Sequence, residues 1–301
     1  MGWNDQIIKE FRENNGRVGG MFEGAPLVVI TTVGVRTGKP HTTPVVYYAD
    51  GERYLVFGSN NGRPTHPDWY HNILGIGQVT MEIGSEEGHV RPLSARAVVL
   101  EGEERDRYWE LQCARDPAFR AYEEKSARVI PVVALYPLDL SKDPARNRMI
   151  GEQLIVHHQE LRAELARVRA AIDAVRAGGT AASTTAEEQG AAPELAEQLR
   201  KHCLTFCWDM QMHHTREQGS FTAFERQYPH LAPVLRRLRA EHVVVERALA
   251  AFEELLGRGM SGTPAEVGQV QAELDRVVAD LEEHFAYEEE RLIPALNGVV
   301  G

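Results

Sequence analysis

The sequence has few cysteines and no long apolar run. Its 301 residues include three cysteines, too few for a disulfide framework, so we expect a reducing compartment and therefore the cytoplasm. No apolar run approaches the roughly 18 residues that a membrane span requires. The first residues also lack the basic and then apolar pattern of a secretory signal. A membrane-spanning protein and a secreted disulfide scaffold are therefore not expected.

Positive charge is also scarce. The chain has 33 basic and 44 acidic residues, which gives a net charge of −11. Residues 1–149 have a net charge of −2 and the remaining residues −9, so neither part offers the basic surface that nucleic acid requires. Eight of the 12 histidines follow residue 149. At about 150 residues per domain, these differences predict two domains with different chemistry.

The first part has the apolar period of β-strands. A β-branched run at 27–33 is of strand length. Asp50-Gly51 separates two further runs, at 45–49 and 54–57, which indicates a hairpin. Other strands are predicted at 79–83, 95–100 and 129–135, and helices at about 4–14, 66–75 and 104–124. We therefore expect a mostly antiparallel sheet that forms a small barrel over residues 1–140.

The apolar period changes to that of helices after a polar stretch at 139–144. Four long helices are predicted, at about 150–176, 194–225, 231–257 and 264–296. Residues 177–193 have the composition of a low-complexity linker. Short connections between the helices favour an antiparallel four-helix bundle. The predicted architecture is α+β with two domains: the barrel, a linker at 141–149 and the bundle at 150–301.

Every helix of the predicted bundle carries a candidate metal ligand. In three helices a histidine and a glutamate are four residues apart, which places both side chains on one helix face. The pairs are His213 and Glu217, His242 and Glu246, and His284 and Glu288. A single pair of this kind is usually solvated, but three pairs together with one histidine of the first helix supply seven ligands. Such a set suffices for two metal ions bridged by carboxylates, and its chemistry suits iron or manganese.

Four short segments of the bundle resemble the hemerythrin-like HHE cation-binding family. They are Val-His-His-Gln-Glu-Leu-Arg, His-His-Thr-Arg-Glu, Glu-His-Val-Val-Val-Glu and His-Phe-Ala-Tyr-Glu-Glu, and the similarity covers about 150–298. The resemblance implies a centre of two iron ions that meets oxygen, peroxide or nitric oxide. The ligands that it implies are His157, His213, Glu217, His242, Glu246, His284 and Glu288. Glu246 stands where some members have histidine, and His158 and His214 are neighbours able to substitute for ligands or orient them.

Two cysteines of the second predicted helix, Cys203 and Cys207, are four residues apart. This spacing places them on one helix face, which leaves a redox pair open as an interpretation. Free cysteine is more often a small buried apolar residue. We therefore expect both to lie in the core.

Two glycine-containing segments of the first part have the character of anion-binding turns. The turn Gly34-Val35-Arg36-Thr37-Gly38-Lys39 joins two strands, and residues 58–72 lead from a strand into a helix. Free backbone N–H groups in such places hold anions and phosphates. Neither segment matches the dinucleotide fingerprint or the nucleotide P-loop. Taken alone, each is also compatible with an ordinary loop.

Together with Arg128-Val129-Ile130-Pro131-Val132-Val133, these segments resemble the deazaflavin-dependent nitroreductase family over about 7–137. The resemblance implies a split β-barrel that binds reduced 8-hydroxy-5-deazaflavin, coenzyme F-420, and passes its hydride to nitro compounds, quinones and related acceptors. By this resemblance, the phosphate and acidic tail of the coenzyme are bound by Arg36, Thr37, Gly38 and Lys39, and its ring by Pro44, Val45, Ser59, Asn60 and Asn61. The helix start beside the phosphate is formed by His66, Trp69, Tyr70 and Asn72. Val35 and His41 stand where the family often has arginine.

Two side chains are candidates for the catalytic step. Tyr122 sits where the family places a tyrosine that faces the substrate, and Ser59 is a hydroxyl in the ring-binding segment. A nitro group or quinone gains negative charge as hydride arrives, so nearby hydrogen-bond donors stabilise that charge. The expected catalytic residues are therefore Tyr122 and Ser59, beside a cofactor that supplies the hydride.

The sequence leaves more than one function open. The first hypothesis is a deazaflavin-dependent oxidoreductase with a nitro, quinone or related small-molecule acceptor. In one form of it, the di-iron site uses the electrons to reduce oxygen or peroxide, although hydride carries two electrons and iron takes one at a time. The alternative is a non-catalytic protein that binds or senses oxygen or iron, in which the barrel serves only dimerisation or regulation. The barrel family implies a homodimer.

Overall fold

A computed structural model of the chain describes residues 2–85, 88–180, 186–258 and 263–298. The described part divides into two compact units. The first consists of Met1–Asp139 and Thr215–Arg226, and the second of Leu140–His214 and Gln227–Gly301. No helix of the described residues has the length and hydropathy needed to cross a membrane. The two units are described in turn.

The first unit contains a closed barrel of six strands. They are β1 (Leu27–Val33), β2 (Pro40–Asp50), β3 (Arg53–Phe57), β4 (Gln78–Gly84), β5 (Val90–Val99) and β6 (Val132–Pro137). Neighbouring strands are antiparallel and follow the order β1-β2-β3-β6-β5-β4 around the barrel. Asp50 pairs with Arg53, and Gly51 between them has φ of 60°. The Asp-Gly hairpin is therefore confirmed, with glycine in the left-handed conformation that costs it least.

Four helices accompany the barrel. They are α1 (Trp3–Glu13), α2 (Asp68–Gly75), α3 (Gly102–Arg115) and α4 (Ala118–Ser126). The single helix expected at 104–124 is thus two helices. Pro117 lacks the N–H that would continue α3, and Asp116 Oδ1 accepts a hydrogen bond from Ala118 N at 3.0 Å to begin the next helix.

Four long helices follow: α5 (Pro144–Thr180), α6 (Ala186–Gln227), α7 (Ala232–Gly257) and α8 (Pro264–Leu296). Helix α5 begins inside the expected linker because Asp143 Oδ1 accepts hydrogen bonds from Ala145 N and Arg146 N. Of the linker predicted at 177–193, the flanks 177–180 and 186–193 are helical, and 181–185 lie outside the described residues. Buried apolar residues from all four helices form one core. The α+β architecture of a barrel followed by helices is therefore confirmed.

Candidate metal centre and cofactor site

Two groups of buried side chains in the helical part have the spacing of metal ligands. The three-histidine group consists of His214, Glu217, His242 and His284. The two-histidine group consists of His158, His213, Glu217 and Glu288. Within each group, one ligand atom per residue lies within 4.8 Å of all the others. Together they combine five histidines with two glutamates, and Glu217 belongs to both groups.

The second carboxylate also lies between the groups. Glu288 Oε2 is 3.6 Å from His158 Nε2 and 3.9 Å from His284 Nε2. Glu217 and Glu288 are 7 % and 1 % exposed. A carboxylate buried to this extent is costly unless positive charge compensates it. Carboxylates among imidazoles are the donor set that iron favours, so the residues present fit two metal ions with two carboxylates between them.

Helical register decides which side chains enter the groups. His158 is the first of a series that continues through Leu161, Leu165 and Val168 at spacings of three and four, and all of them are buried. Its ring stacks on Phe285, with 4.2 Å between the centroids. On α6, His213 and Glu217 are one turn apart, as are His284 and Glu288 on α8. The four-residue spacing noted in the sequence therefore does place these pairs on one face.

The structure does not bring two of the predicted ligands into either group. His157 is half-buried beside the two-histidine group: its Nδ1 is 3.4 Å from Glu160 Oε2, and its ring centroid is 5.0 Å from that of His213. Glu246 is exposed. The buried series of α7 runs through His242 and Val245, and Glu246 lies one position outside that series. The other five, His213, Glu217, His242, His284 and Glu288, do come together. His158 and His214 enter the groups, and their register with buried apolar residues was the signal in the sequence.

Each group has one histidine whose outer nitrogen contacts a further glutamate. His158 Nδ1 is 2.7 Å from Glu289 Oε1, and His284 Nδ1 is 2.8 Å from Glu241 Oε2. Burial raises the pKa of Glu241, but the hydrogen bonds from His284 and Arg237 outweigh it and hold that pKa below the usual value. The carboxylate therefore accepts the proton of His284 Nδ1, which leaves Nε2 of that ring for the interior of the group.

In the first unit, the predicted cofactor turn and helix α2 are joined by one buried side chain. Asn72 Oδ1 accepts a hydrogen bond from Val35 N at 3.2 Å, and Asn72 Nδ2 donates to Thr32 Oγ1 at 3.0 Å. Within the turn, Thr37 Oγ1 accepts from Lys39 N at 3.2 Å, and the side chains of Arg36 and Thr37 are exposed. Asn72 is 5 % exposed, as is Trp69. Both predicted cofactor residues therefore lie in the interior: Asn72 positions the turn, and Trp69 packs in the apolar core of the barrel.

A second segment, Gly58–His66, follows β3 and contains the predicted ring-binding residues Ser59, Asn60 and Asn61. Asn60 and Asn61 both have positive φ, 50° and 53°, a conformation that costs free energy outside glycine. Arg128 holds this segment: it donates to the carbonyls of Gly58 and Ser59 at 2.9 Å and to that of Arg63 at 3.2 Å. Sequence reasoning placed Arg128 in a family segment without giving it this role.

The other predicted residues lie around the same segment. His66 Nδ1 is 2.9 Å from Arg128 Nη1, and its ring centroid is 5.0 Å from that of Tyr70. Tyr122 is half-buried on α4, and its Cα is 3.3 Å from the point where a Cβ on Gly62 would lie. The structure therefore brings Tyr122 close to the segment that contains Ser59. Pro44 and Val45 lie on β2, Pro44 buried and Val45 half-buried.

The chain matches two family models, one for each part. Residues 3–137 match F420H(2)-dependent quinone reductase, and residues 149–296 match the hemerythrin HHE cation binding domain. Both resemblances seen in the sequence are therefore confirmed.

Curated relatives agree for the first part. An F420H(2)-dependent quinone reductase of Mycobacterium tuberculosis strain H37Rv is 32 % identical over 127 residues, which are 42 % of this chain and 83 % of that protein. A second, putative one from the same strain is 30 % identical over 118 residues, 39 % of this chain and 95 % of that protein. Among solved structures, an F420-H2 dependent reductase (FDR-A) is 34 % identical and covers 36 % of this chain and 93 % of that one, with a TM-score of 0.33.

The barrel, the anchored turns and these matches define an oxidoreductase fused to a hemerythrin-like domain. The chain belongs to the family of F420H(2)-dependent quinone reductases.

Proposed function

We propose that the first unit binds reduced 8-hydroxy-5-deazaflavin, coenzyme F-420, and reduces a quinone. The observation that carries the proposal is the Asn72 clamp, which ties the turn at Val35 to helix α2 and so holds the two predicted cofactor segments together. The name of the relatives, quinone reductases, supports this acceptor above nitro compounds. When bound, the coenzyme supplies a hydride, which with one proton converts a quinone to a quinol.

The residues of the chain have separate tasks in this proposal. Arg36 and Lys39, at the turn, attract the phosphate and acidic tail of the coenzyme through their positive charges. Ser59 and Tyr122 donate hydrogen bonds to the acceptor oxygen that gains negative charge. The segment that contains Ser59 is held by Arg128, so this donor is in place before the substrate arrives. Pre-organised donors of this kind cost no reorganisation in the transition state.

The helical part is proposed to bind two iron ions. The residues that would hold them are the seven of the two groups, of which Glu217 belongs to both. His157 and Glu246 remain predictions from family position, without a place in these groups. Each group would offer an iron ion four imidazole or carboxylate ligands, and iron sites of this donor type bind exogenous ligands at open positions. Oxygen, peroxide and nitric oxide are ligands of suitable size, and binding them is the function we propose for this part.

The relationship between the two activities has two candidate forms. In the first, the iron held by these residues would supply one-electron chemistry, and the reduced deazaflavin would provide the electrons for the reduction of oxygen or peroxide. In the second, the quinone reductase works by itself and the iron site senses or stores oxygen or iron. The buried imidazole and carboxylate donors of the two groups support metal binding in either form. A homodimer through the barrel remains a prediction, which light scattering on the full chain tests.

The test is the oxidation of reduced coenzyme F-420 by the full chain, followed by absorbance in the absence of oxygen. A naphthoquinone is added first, and oxygen in a separate run, each with the iron-loaded and the metal-free protein. We expect quinone-dependent oxidation with both preparations. Oxygen-dependent oxidation confined to the iron-loaded protein would support the coupled form. No binding of the coenzyme and no quinone reduction would overturn the proposal and leave the non-catalytic alternative.

A further inference from the structure

Two glutamates outside the metal groups each hold one histidine inside them. Glu289 Oε1 lies 2.7 Å from His158 Nδ1, and Glu241 Oε2 lies 2.8 Å from His284 Nδ1. An ionised carboxylate only accepts hydrogen bonds, so Nδ1 is the donor in both rings. The lone pair of each neutral ring is then on Nε2. This atom faces the other ligands, because His158 Nε2 is 3.1 Å from His213 Nε2.

The same relationship holds in the other group. His284 Nε2 is 3.1 Å from His242 Nε2, while its Nδ1 is held by Glu241. Each holding glutamate is the neighbour in sequence of a ligand: Glu241 precedes His242, and Glu289 follows Glu288. The helix that supplies a ligand to one side of the centre therefore also supplies the carboxylate that orients a histidine on another helix.

An arginine completes each contact. Arg162 Nη1 donates to Glu289 Oε1 at 3.2 Å, and Arg162 Nε donates to Glu282 Oε2 at 2.9 Å. In the other group, Arg237 Nε donates to Glu241 Oε1 at 2.6 Å, and Arg237 Nη2 donates to Glu283 Oε1 at 3.1 Å. Each arginine therefore binds two glutamates, one that contacts a histidine and one that does not.

We propose that Glu241 and Glu289 are positioning residues of the metal centre, one for each metal ion. The inference rests on the proposed iron site. Glu289 fixes the tautomer and the ring orientation of His158, and Glu241 does the same for His284. A carboxylate on the outer nitrogen also makes the imidazole a stronger electron donor to the metal. Arg162 and Arg237 hold the carboxylates in place, at a distance from the metals.

The negative charge of each glutamate has a second consequence. A negative charge one imidazole away from the metal stabilises the higher oxidation state more than the lower one. The side chains of Glu241 and Glu289 are 26 % and 29 % exposed, so solvent screens them only in part. Removing either charge should therefore raise the reduction potential of the adjacent iron and weaken the binding of that iron.

The variants that test this are Glu241→Gln and Glu289→Gln, with Glu283→Gln and Glu282→Gln as matched controls. Each control removes a carboxylate from the same arginine without touching a histidine. Iron(II) binding to the full chain is measured by competition with a chromophoric chelator, without oxygen. We expect one of the two iron ions to bind about 10- to 100-fold more weakly in each test variant. The controls should stay within about twofold of the parent protein.

A second pair of variants separates positioning from a merely structural role. Glu241→Asp and Glu289→Asp keep the charge but shorten the side chain, whereas glutamine keeps the shape and loses the charge. If the carboxylate tunes the metal, the aspartate variants keep a reduction potential closer to that of the parent than the glutamine variants do. If the carboxylate has a merely structural role, the metal-free glutamine variants should unfold at a temperature closer to that of the parent than the aspartate variants do. The reduction potential should then stay unchanged in all four variants.

The outcomes distinguish this inference from the proposed function. A parent protein that does not bind two iron ions contradicts the proposed iron site itself. If the parent protein binds two iron ions and the glutamine variants match their controls in affinity and potential, only the inference about Glu241 and Glu289 is overturned. Weakened binding of one iron, with a raised potential in the glutamine variants only, supports it.

Discussion

Arg128 lies directly beside His66, with Arg128 Nη1 2.9 Å from His66 Nδ1. A guanidinium only donates, so His66 accepts at Nδ1 and its neutral ring carries the proton on Nε2. The same arginine donates to the carbonyls of Gly58, Ser59 and Arg63. One side chain therefore fixes both the segment that contains the predicted ring-binding residues and the tautomer of the histidine at the start of α2.

We expect Arg128→Ala to release this segment. Three carbonyls and one imidazole nitrogen lose their donor; one of these hydrogen bonds is exposed and three are part-buried, so each contributes about 1 kcal/mol. Affinity for reduced coenzyme F-420 should fall at least tenfold, measured by fluorescence titration of the full chain. Arg63→Ala is the control, because it removes an exposed positive charge from the same segment and leaves the backbone carbonyl of residue 63 in place. Equal losses in the two variants would mean that charge, not anchoring, matters.

The pH dependence of the first unit should reflect His66. Burial lowers its pKa below the usual 6.5, with Arg128 and His71 acting in the same direction. The unfolded chain therefore binds a proton at His66 at a higher pH than the folded one does, so stability falls as the pH falls through and below about 6.5. Thermal unfolding of the full chain between pH 5 and 8 measures this. His66→Gln should flatten the dependence, and an unchanged profile would contradict the assignment.

Asn72→Ala should separate the turn at 34–39 from α2. Its amide makes two hydrogen bonds, to Val35 N and Thr32 Oγ1, inside the protein. We expect a loss of about 2 kcal/mol in stability, within the range for buried hydrogen-bonded groups, and weaker binding of the coenzyme. Leu74→Ala on the same helix is a suitable control, because Leu74 is 58 % exposed. Coenzyme binding that is unchanged in Asn72→Ala would remove the observation on which the proposed function depends.

The thiols of Cys203 and Cys207 should be inert in the folded protein. Both are buried in the apolar core of the helices, as the sequence predicted. Burial raises the pKa of Cys203 to about 12 and that of Cys207 as well. At pH 8 only about one Cys203 thiol in 10⁴ is then a thiolate. In a Cys113→Ser background we expect no reaction with a disulfide reagent until the protein is unfolded, when two thiols react. Immediate reaction of the native protein would support redox cysteines.

The sequence predicted the elements whose signals are local. The strand at 27–33 and the helix at 264–296 have the predicted bounds, because an unbroken β-branched run and a Thr263–Glu266 capping box are both visible in the sequence. The break between α3 and α4 was missed, although Pro117 marks it. Arg128 could not be assigned a role, since its acceptors, three carbonyls and one imidazole, lie 62 or more residues away. Long-range contacts of this kind leave no periodic signal.

The choice of metal ligands also depends on more than the spacing within one helix turn. His157 and His158 are each a plausible neighbour of Leu161, at spacings of four and three, so local spacing does not choose between them. The choice needs the longer register through Leu165 and Val168, which His158 continues. Glu246 has the right spacing from His242 but lies on the exposed side of α7. Spacing within a pair therefore does not by itself place both side chains in the core, and the full apolar series is needed to predict which side chains face inward.

The ligand sets make opposite predictions for paired variants. His158→Ala should remove one of two iron ions, whereas His157→Ala should keep both, because only His158 belongs to a group of converging ligand atoms. By the same argument, Glu217→Gln should disturb both metal ions, since Glu217 is shared, and Glu246→Gln should disturb neither. Iron content by elemental analysis, together with the iron-dependent rise in unfolding temperature, measures the result for all four. Loss of iron from His157→Ala or Glu246→Gln, with full retention in His158→Ala, would restore the ligand set implied by the family resemblance. Full retention in Glu217→Gln would contradict both ligand sets, because Glu217 belongs to each.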